Sequence, residues 1–200
     1  YRPSPHEGES NEQDAPGQLT LVAEATHESI LRNADNITFS PWGDLVVCED
    51  TSSHCGIVGI RPDGTQYQLA DNAHSDSELA GVCFSPDGRL AYFSDTALGT
   101  MYRWRLDPEG WPIGAPEIFY RAERPGEGPD GAVSDESGAV WVAIWGGGRV
   151  QRIGSDGAAR LWDLTPGDPP AAPVLLAGHR APITALAVRC HVVEKQQVIG

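Results

Sequence analysis

Basic residues are scarce in this sequence. It contains 14 Lys and Arg against 28 Asp and Glu, which gives a formal net charge of −14 over 200 residues. Because binding to a nucleic-acid backbone needs clustered cationic side chains that displace counterions, we expect no nucleic-acid partner. The acidic surface is instead typical of a protein that stays apart from its own copies, and it also attracts divalent cations.

Long hydrophobic runs are absent as well. No apolar stretch approaches the roughly 20 residues of a membrane-spanning helix, and residues 1–10 contain no apolar secretory core. We therefore expect a soluble chain with no membrane partner and no targeting segment. Its compartment is unassigned, and recombinant expression would place it in the cytoplasm.

Cysteine is rare, with four residues in the chain, Cys48, Cys55, Cys83 and Cys190. They form no Cys-x-x-Cys pair and lack the dense pattern of a secreted scaffold, so neither a zinc site nor a disulfide framework is indicated. Cys48 and Cys83 fall within strand patterns, where a thiol usually acts as a small buried hydrophobe. We expect free and inert thiols.

A repeated hairpin pattern organises what is present. The stretch from Phe84 to Asp95 places a Ser-Pro-Asp-Gly turn between a hydrophobic residue and an alternating strand pattern, which is typical of a β-hairpin. Similar stretches begin about 45 residues earlier, at Phe39, and about 50 residues later, at Ser134. A period of this size built from strands predicts an all-β fold, a small β-propeller.

We interpret residues 1–200 as one propeller domain, most simply with four blades of four antiparallel strands. Three blades follow the repeat, at about 33–73, 78–122 and 128–164, or to 177 if a surplus strand at Val174–Leu176 is included. The fourth combines 181–200 with 1–25, where Tyr1–Arg2 and Leu19–Ala23 pair with Val192–Ile199. Closure within one chain predicts a monomer, whereas closure shared between chains predicts a homo-oligomer. Five blades or a multi-chain assembly are alternatives.

Several motifs within about residues 1–88 resemble the C-terminal part of PhoX-type alkaline phosphatases. They are Tyr1-Arg-Pro-Ser-Pro5, Asp35-Asn36, Ser40-Pro-Trp-Gly-Asp-Leu, Cys48-Glu-Asp50 and the stretch Glu78–Gly88. This resemblance implies a calcium- and iron-dependent phosphomonoesterase built on a propeller. Glu49 matches the Cys-Glu-Asp stretch and is a candidate metal ligand of such a parent, but we expect a solvated strand end here.

From about residue 89 to 156 the chain is similar instead to the gluconolactonase, senescence-marker and luciferin-regenerating family. The similarity lies in Ala91–Thr96, Pro129-Asp130-Gly131 and Val140–Val150. It implies that Asp130 is a ligand of a divalent metal and a candidate general base. It also implies an asparagine ligand where this chain has Ala80, and a glutamate ligand for which no matching motif occurs.

The segment from about 158 to 200 resembles WD-repeats, through Arg160-Leu-Trp-Asp163, Leu175–His179 and Ile183–Val188. Three such patterns joined within homologous hairpins favour an engineered chimera over a natural protein of mosaic ancestry. The first functional hypothesis is therefore a scaffold with no evolved catalytic activity and no known protein partner. The alternatives are a metal-dependent hydrolase of the lactonase or phosphomonoesterase type, and a WD-repeat-like interaction module.

Counting back from the glycine of each hairpin turn places Asp35, Ala80 and Asp130 at one equivalent position, facing the central channel. Two carboxylates there repel each other unless one is protonated or a hard cation lies between them. Asp35, Asn36 and Asp130 are therefore the candidate metal ligands. We expect no required cofactor, at most calcium bound with a dissociation constant on the order of millimolar, and we assign no catalytic residue.

Overall fold

A computed structural model of the protein describes residues 1–52, 54–157 and 159–163. Within these ranges the chain forms a 3-10 helix, Glu12–Asp14, and twelve β-strands, which confirms the predicted all-β fold. None of the described residues form a helix that is long and apolar enough to cross a membrane. The first sheet contains β1 (Ala34–Phe39), β2 (Leu45–Glu49), β3 (Gly56–Ile60) and β4 (Gln66–Asp71). The second contains β5 (Leu79–Phe84), β6 (Leu90–Asp95), β7 (Thr100–Leu106) and β8 (Pro112–Arg121). The third contains β9 (Gly128–Ser134), β10 (Val140–Trp145), β11 (Arg149–Ile153) and β12 (Ala159–Asp163).

Each sheet is an antiparallel meander whose strands pair in chain order. Local turn chemistry explains this order, because the first hairpin of every sheet contains a glycine at positive φ, namely Gly43, Gly88 and Gly138. In the first sheet, the backbone N–H of Ser40 donates to the carbonyl oxygen of Asp44 at 2.8 Å and closes the turn. Each copy of the recurring turn motif therefore joins the first two strands of one four-stranded blade.

The sheets pack side by side through buried apolar residues. The inner strand β5 contacts both β1 and β9. One apolar cluster, which includes Val46, Ile57 and Phe93, joins the first sheet to the second. Another, which includes Tyr92 and Val142, joins the second sheet to the third. Side chains that alternate along β6 thus face opposite neighbours, which is the packing of propeller blades.

The strand directions give the assembly two faces. The inner strands β1, β5 and β9 begin at one face, which we call the upper face, and the hairpin turns that follow them lie at the opposite, lower face. Strands β2, β6 and β10 return to the upper face, where they end at Glu49, Asp95 and Trp145. The candidate metal ligands lie near the starts of β1 and β9, and therefore near the upper face.

The expected fourth blade falls largely outside the described residues. Because both 181–200 and Val174–Leu176 lie there, the blade count and the closure stay predictions. Within the described residues, Leu19–Ala23 has no regular secondary structure, and Leu19 is 85% exposed. Its expected partner, Val192–Ile199, lies outside them, so this pairing stays a prediction as well. Arg2 forms an isolated bridge with Gln18.

Candidate functional site

The candidate metal ligands lie in bulges of the inner strands. The register of β1 with β2 shifts at Asp35 and Asn36. The register of β9 with β10 shifts in the same way at Asp130 and Gly131. Bulges are common next to active sites, because they re-aim a side chain away from the regular pleat. The two strands that carry the candidate ligands therefore share one local distortion.

Ala80 does not lie in a bulge. It pairs directly with Ser94 of β6 and is fully buried, and the shift in β5 comes one residue later, at Gly81. Counting from the turn glycines overlooked this displacement, because the count assumes the same pairing in every blade. At the position where the family resemblance implies an asparagine ligand, β5 therefore presents a buried methyl group.

The side chain of Asn36 is hydrogen-bonded to β5 and lies close to β9. Its Oδ1 accepts a hydrogen bond from the backbone N–H of Gly81 in β5 at 2.7 Å. Its Nδ2 donates to Oδ2 of Asp35 at 2.7 Å. A Cβ atom built on Gly131 of β9 would lie 3.9 Å from the same Oδ1. The amide is thus held in one orientation, and the structure brings Asn36 and Asp35 beside the strand that carries Asp130.

Strand β5 approaches β9 closely at Gly81. A Cβ atom built there would overlap the backbone carbonyl oxygen of Asp130, and φ of Gly81 is +60°. Glycine is the residue that tolerates both conditions. Asp130 itself is 3% exposed. The backbone of Asp130 therefore belongs to the packed junction between the second and third sheets rather than to a mobile surface loop.

Negative charge gathers beside the Asp35–Asn36 bulge. Burial raises the pKa of the Cys48 thiol well above its usual range, and the charges of Asp35 and Glu78 raise it further. Glu78 directly precedes β5 and was not among the predicted site residues. The signal that could have identified it is an acidic residue at the entrance of an inner strand.

The cysteines behave as expected where the structure describes them. Cys48, Cys55 and Cys83 are buried and free. Burial raises the pKa of Cys83 to about 12, so its thiol stays protonated at neutral pH. Cys190 lies outside the described residues.

The donor set fits a calcium ion only in part. No three His, Cys, Asp or Glu side chains form a metal cluster within 1–52, 54–157 and 159–163. Asp35, Asn36 and Asp130 supply oxygens of the kind that calcium prefers, but Oδ1 of Asn36 already accepts the Gly81 hydrogen bond. Calcium takes six to eight oxygen ligands, so these residues would have to be supplemented by backbone carbonyls and water.

Glu49 is not the solvated strand end that the sequence suggested. It is 3% exposed, and its Oε1 accepts a hydrogen bond from the backbone N–H of Arg32. A Cβ atom built on Gly56 would lie 3.2 Å from its Oε2. The carboxylate is enclosed because the chain leading into β1 folds over the end of β2 and needs an acceptor there. Its contacts are those of a structural residue.

A buried ion pair supports the upper face close to Asp130. Arg149 at the start of β11 donates from Nη1 and Nη2 to the two carboxylate oxygens of Glu127 at 2.6 and 2.5 Å. The two side chains are 5% and 7% exposed. Nearby, the hydroxyl of Tyr120 donates to Oε1 of Gln151 at 2.5 Å. The ion pair ties the segment that enters β9 to the third strand of the same sheet.

Comparison with known families gives one match over most of the chain. A family model described as the SMP-30/Gluconolactonase/LRE-like region matches residues 13–182. The match spans both positions, near 88 and 157, at which the sequence patterns changed their resemblance.

Curated relatives carry the names of sugar lactonases. The 6-deoxy-6-sulfogluconolactonase of Pseudomonas putida is 44% identical over 101 residues, which are 47% of this chain and 35% of that protein. A putative sugar lactone lactonase of Rhizobium meliloti is 35% identical over 96 residues, which are 48% of this chain and 33% of that protein. These alignments cover about a third of each relative's own length.

Solved structures share the fold over a longer stretch. A calcium-binding protein, regucalcin, from Agrobacterium tumefaciens has a TM-score of 0.62 and 30% identity, with 74% of this chain and 51% of that chain covered. A gluconolactonase from Xanthomonas campestris has a TM-score of 0.60 at 20% identity, with 77% of this chain and 54% of that chain covered, and supports the fold alone. The chain thus spans about half the length of these proteins.

These comparisons overturn the first functional hypothesis. A non-catalytic engineered scaffold is wrong, because a single natural family accounts for residues 13–182 and the relatives are named as lactonases. The gluconolactonase resemblance is confirmed and extends well beyond residues 89–156. The PhoX-type and WD-repeat resemblances are not shown. Because one family model spans the three blades, their differences in sequence do not require that fragments of different proteins were joined.

Proposed function

The chain belongs to the SMP-30/gluconolactonase/LRE-like family, and from this membership we propose that the protein hydrolyses a sugar lactone. The names of its relatives support this class of substrate. The observation that carries the proposal is the buried carboxylate of Asp130, in the Pro-Asp-Gly motif of β9 beside Asn36 and Gly81. The identity of the sugar is left open.

In the proposed reaction, the oxygen of a water molecule bonds to the lactone carbonyl carbon and the ring C–O bond breaks. Asp130 accepts the proton of the attacking water as general base and returns it to the released ring oxygen, which gives the open-chain hydroxy acid and regenerates the carboxylate. Its position in the packed junction with β5 limits the motion of its backbone. A base held in this way keeps its geometry from one turnover to the next.

Asp35, Asn36 and Asp130 are the residues that would hold a divalent cation. A bound cation would polarise the lactone carbonyl. Asn36 is oriented by its hydrogen bonds to Gly81 and Asp35, so its amide cannot turn freely toward other partners. Because Ala80 offers no ligand, we expect calcium to bind with a dissociation constant on the order of millimolar.

The test is an assay of the hydrolysis of D-glucono-1,5-lactone and L-arabino-1,4-lactone. The release of acid is measured with and without millimolar calcium. We expect turnover by the wild-type chain and at least a 100-fold loss in Asp130→Asn, which removes the base but keeps the size of the side chain. The matched control is Asp76→Asn, an exposed carboxylate in the loop before β5, which should retain activity.

Two outcomes would contradict the proposal. The first is no turnover of either lactone, above the rate in buffer, by a chain whose circular dichroism spectrum is that of a folded β-protein. The second is turnover that Asp130→Asn leaves unchanged, since the reaction would then use a different base.

A further inference from the structure

A groove of about 160 Å³ lies at the lower face, at the opposite end of the strands from Asp130. It opens between the first and second sheets. We call it the aromatic groove, and its lining includes Trp42, Asp44, Arg61, Tyr67, Glu109 and Trp111. None of these residues takes part in the lactone chemistry proposed above, so the groove calls for a separate explanation.

A carboxylate is fixed in the floor of the aromatic groove. Asp44 is 8% exposed, and its Oδ2 accepts hydrogen bonds from the Tyr67 hydroxyl at 2.8 Å and from Nε1 of Trp42 at 3.1 Å. Burial raises the pKa of Tyr67, so its hydroxyl stays protonated as a donor. Because both bonds reach Oδ2, the described residues leave Oδ1 of Asp44 able to accept a hydrogen bond from a ligand.

An aromatic platform forms the wall of the groove. The ring of Trp111 lies 5.6 Å from that of Tyr67, and Trp111 remains 46% exposed. The preceding residue, Gly110, lies directly against the indole of Trp42, where an added Cβ would overlap the ring. This close approach brings the β7–β8 turn of the second sheet onto the first sheet. The aromatic platform thus depends on the close contact of the first and second sheets at Gly110.

A cation lies at the rim. The guanidinium carbon of Arg61 is 4.9 Å from the centre of the Tyr67 ring, and the residue is exposed and lines the groove. The lining combines this one cation with the carboxylates of Asp44 and Glu109. An anionic ligand would meet the two carboxylates, and a cationic ligand would meet Arg61. A neutral ligand with several hydroxyl groups avoids both repulsions, because it can donate to a carboxylate and accept from Arg61 at the same time.

We propose that the aromatic groove binds one neutral monosaccharide ring. The negative face of the Trp111 indole attracts the C–H groups on one side of the sugar. A sugar hydroxyl donates to Oδ1 of Asp44, and Arg61 donates to another sugar oxygen. The volume admits one ring rather than an extended chain. This site is separate from the lactone site and does not depend on lactone hydrolysis.

The experiment is a titration of the chain, labelled with ¹⁵N at the tryptophan indoles, with D-glucose up to molar concentration. The expected result is a saturable shift of two indole N–H signals, assigned to Trp42 and Trp111 by their loss on mutation, with a roughly millimolar dissociation constant. Trp111→Ala should weaken binding at least 10-fold. The matched control is Trp145→Ala, because Trp145 is similarly exposed, at 45%, but ends β10 at the upper face.

Other results would overturn the proposal. Shifts that stay linear with D-glucose concentration would indicate no site. Loss of binding in Trp145→Ala but not in Trp111→Ala would place the sugar at the upper face. The remaining indole signals report whether each variant is folded. Asp44→Asn is a second test of the sugar contact, since it keeps an acceptor for Tyr67 while replacing Oδ1 by a donor. Unchanged affinity in Asp44→Asn would likewise contradict the assigned contact.

Discussion

Oδ1 of Asn36 accepts a hydrogen bond of 2.7 Å from the backbone N–H of Gly81, and this bond crosses from the first sheet to the second. The peptide N–H of Gly81 faces the neighbouring sheet because the register of β5 shifts there. A buried backbone donor requires an acceptor, and the side chain of Asn36 supplies it. The bond therefore joins one candidate site residue to the packing of two blades.

Replacing Asn36 by Ala should destabilise the protein by about 1–3 kcal/mol, because it leaves a buried N–H without its acceptor. Urea unfolding at neutral pH measures this loss. Asn11→Ala is the control, since Asn11 precedes the 3-10 helix and makes no side-chain capping hydrogen bond. A change in the control as large as that in Asn36→Ala would indicate a general effect of removing asparagine.

Gly81→Ala should be more harmful, at about 3 kcal/mol or more, since the new methyl group would overlap the carbonyl oxygen of Asp130 and φ would remain positive. Gly138→Ala provides the comparison. Gly138 also has a positive φ, of +79°, but an added Cβ there meets nothing within 4 Å. We expect a loss of about 1 kcal/mol from the backbone strain alone. Thermal unfolding of both variants separates the clash from the strain, and equal losses would refute the close approach.

The acid stability of the third sheet should depend on Asp135. Burial raises the pKa of this carboxyl, but hydrogen bonds from Ser137, Trp141 and Arg152 outweigh burial and lower the pKa from 3.8 to about 2. A carboxyl with a lowered pKa in the folded state stabilises the protein above its unfolded pKa, near 4, and loses that contribution as the pH falls toward about 2.

Allowing for solvent screening at this partly exposed site, the contribution of Asp135 at neutral pH should be about 1–2 kcal/mol. Urea unfolding of the wild type and Asp135→Asn at several pH values between 7 and 2 tests this. The difference between the two should be largest at neutral pH and nearly vanish at about pH 2. Glu136→Gln, at an exposed neighbour, serves as the control. A difference independent of pH would show that charge is not the cause.

The buried ion pair of Glu127 with Arg149 should matter far more than the exposed pair of Glu117 with Arg103. The side chains of the first pair are 5–7% exposed, whereas those of the second are 31% and 57% exposed. We expect Glu127→Gln to lower Tm by about 10 °C and Glu117→Gln by no more than about 2 °C. Differential scanning calorimetry measures both, and similar shifts would contradict the assigned difference in burial.

Local turn chemistry made the blades predictable from the sequence. The motif that ends in Gly43, Gly88 and Gly138 sets each hairpin through short-range hydrogen bonds, so it works without knowledge of distant contacts. The position of Asp130 in an inner strand was equally accessible, because the Pro-Asp-Gly motif precedes a recognisable hairpin. Leu19–Ala23 is a different case, since alternation alone does not identify a pairing strand, and its expected partner, Val192–Ile199, lies outside the described residues.

Other features depended on contacts between distant segments. The burial of Glu49 follows from the backbone N–H of Arg32, which the strand pattern of β2 does not reveal. The displaced bulge of β5 at Gly81 depends on the neighbouring β9 and shifts the position that Ala80 was expected to occupy. Differences in sequence motifs between the blades also suggested separate origins, although one family model spans all three blades. Repeats that diverge within a single family can resemble other families locally.

Because Gly81 has no side chain, the site proposed at the upper face depends on how tightly the blades pack. If the second and third sheets separate locally, the main chain of Asp130 loses the surface that holds it. Local separation should therefore misplace Asp130 before the whole chain unfolds, so that the proposed activity should decline at a lower temperature than the bulk spectroscopic signal.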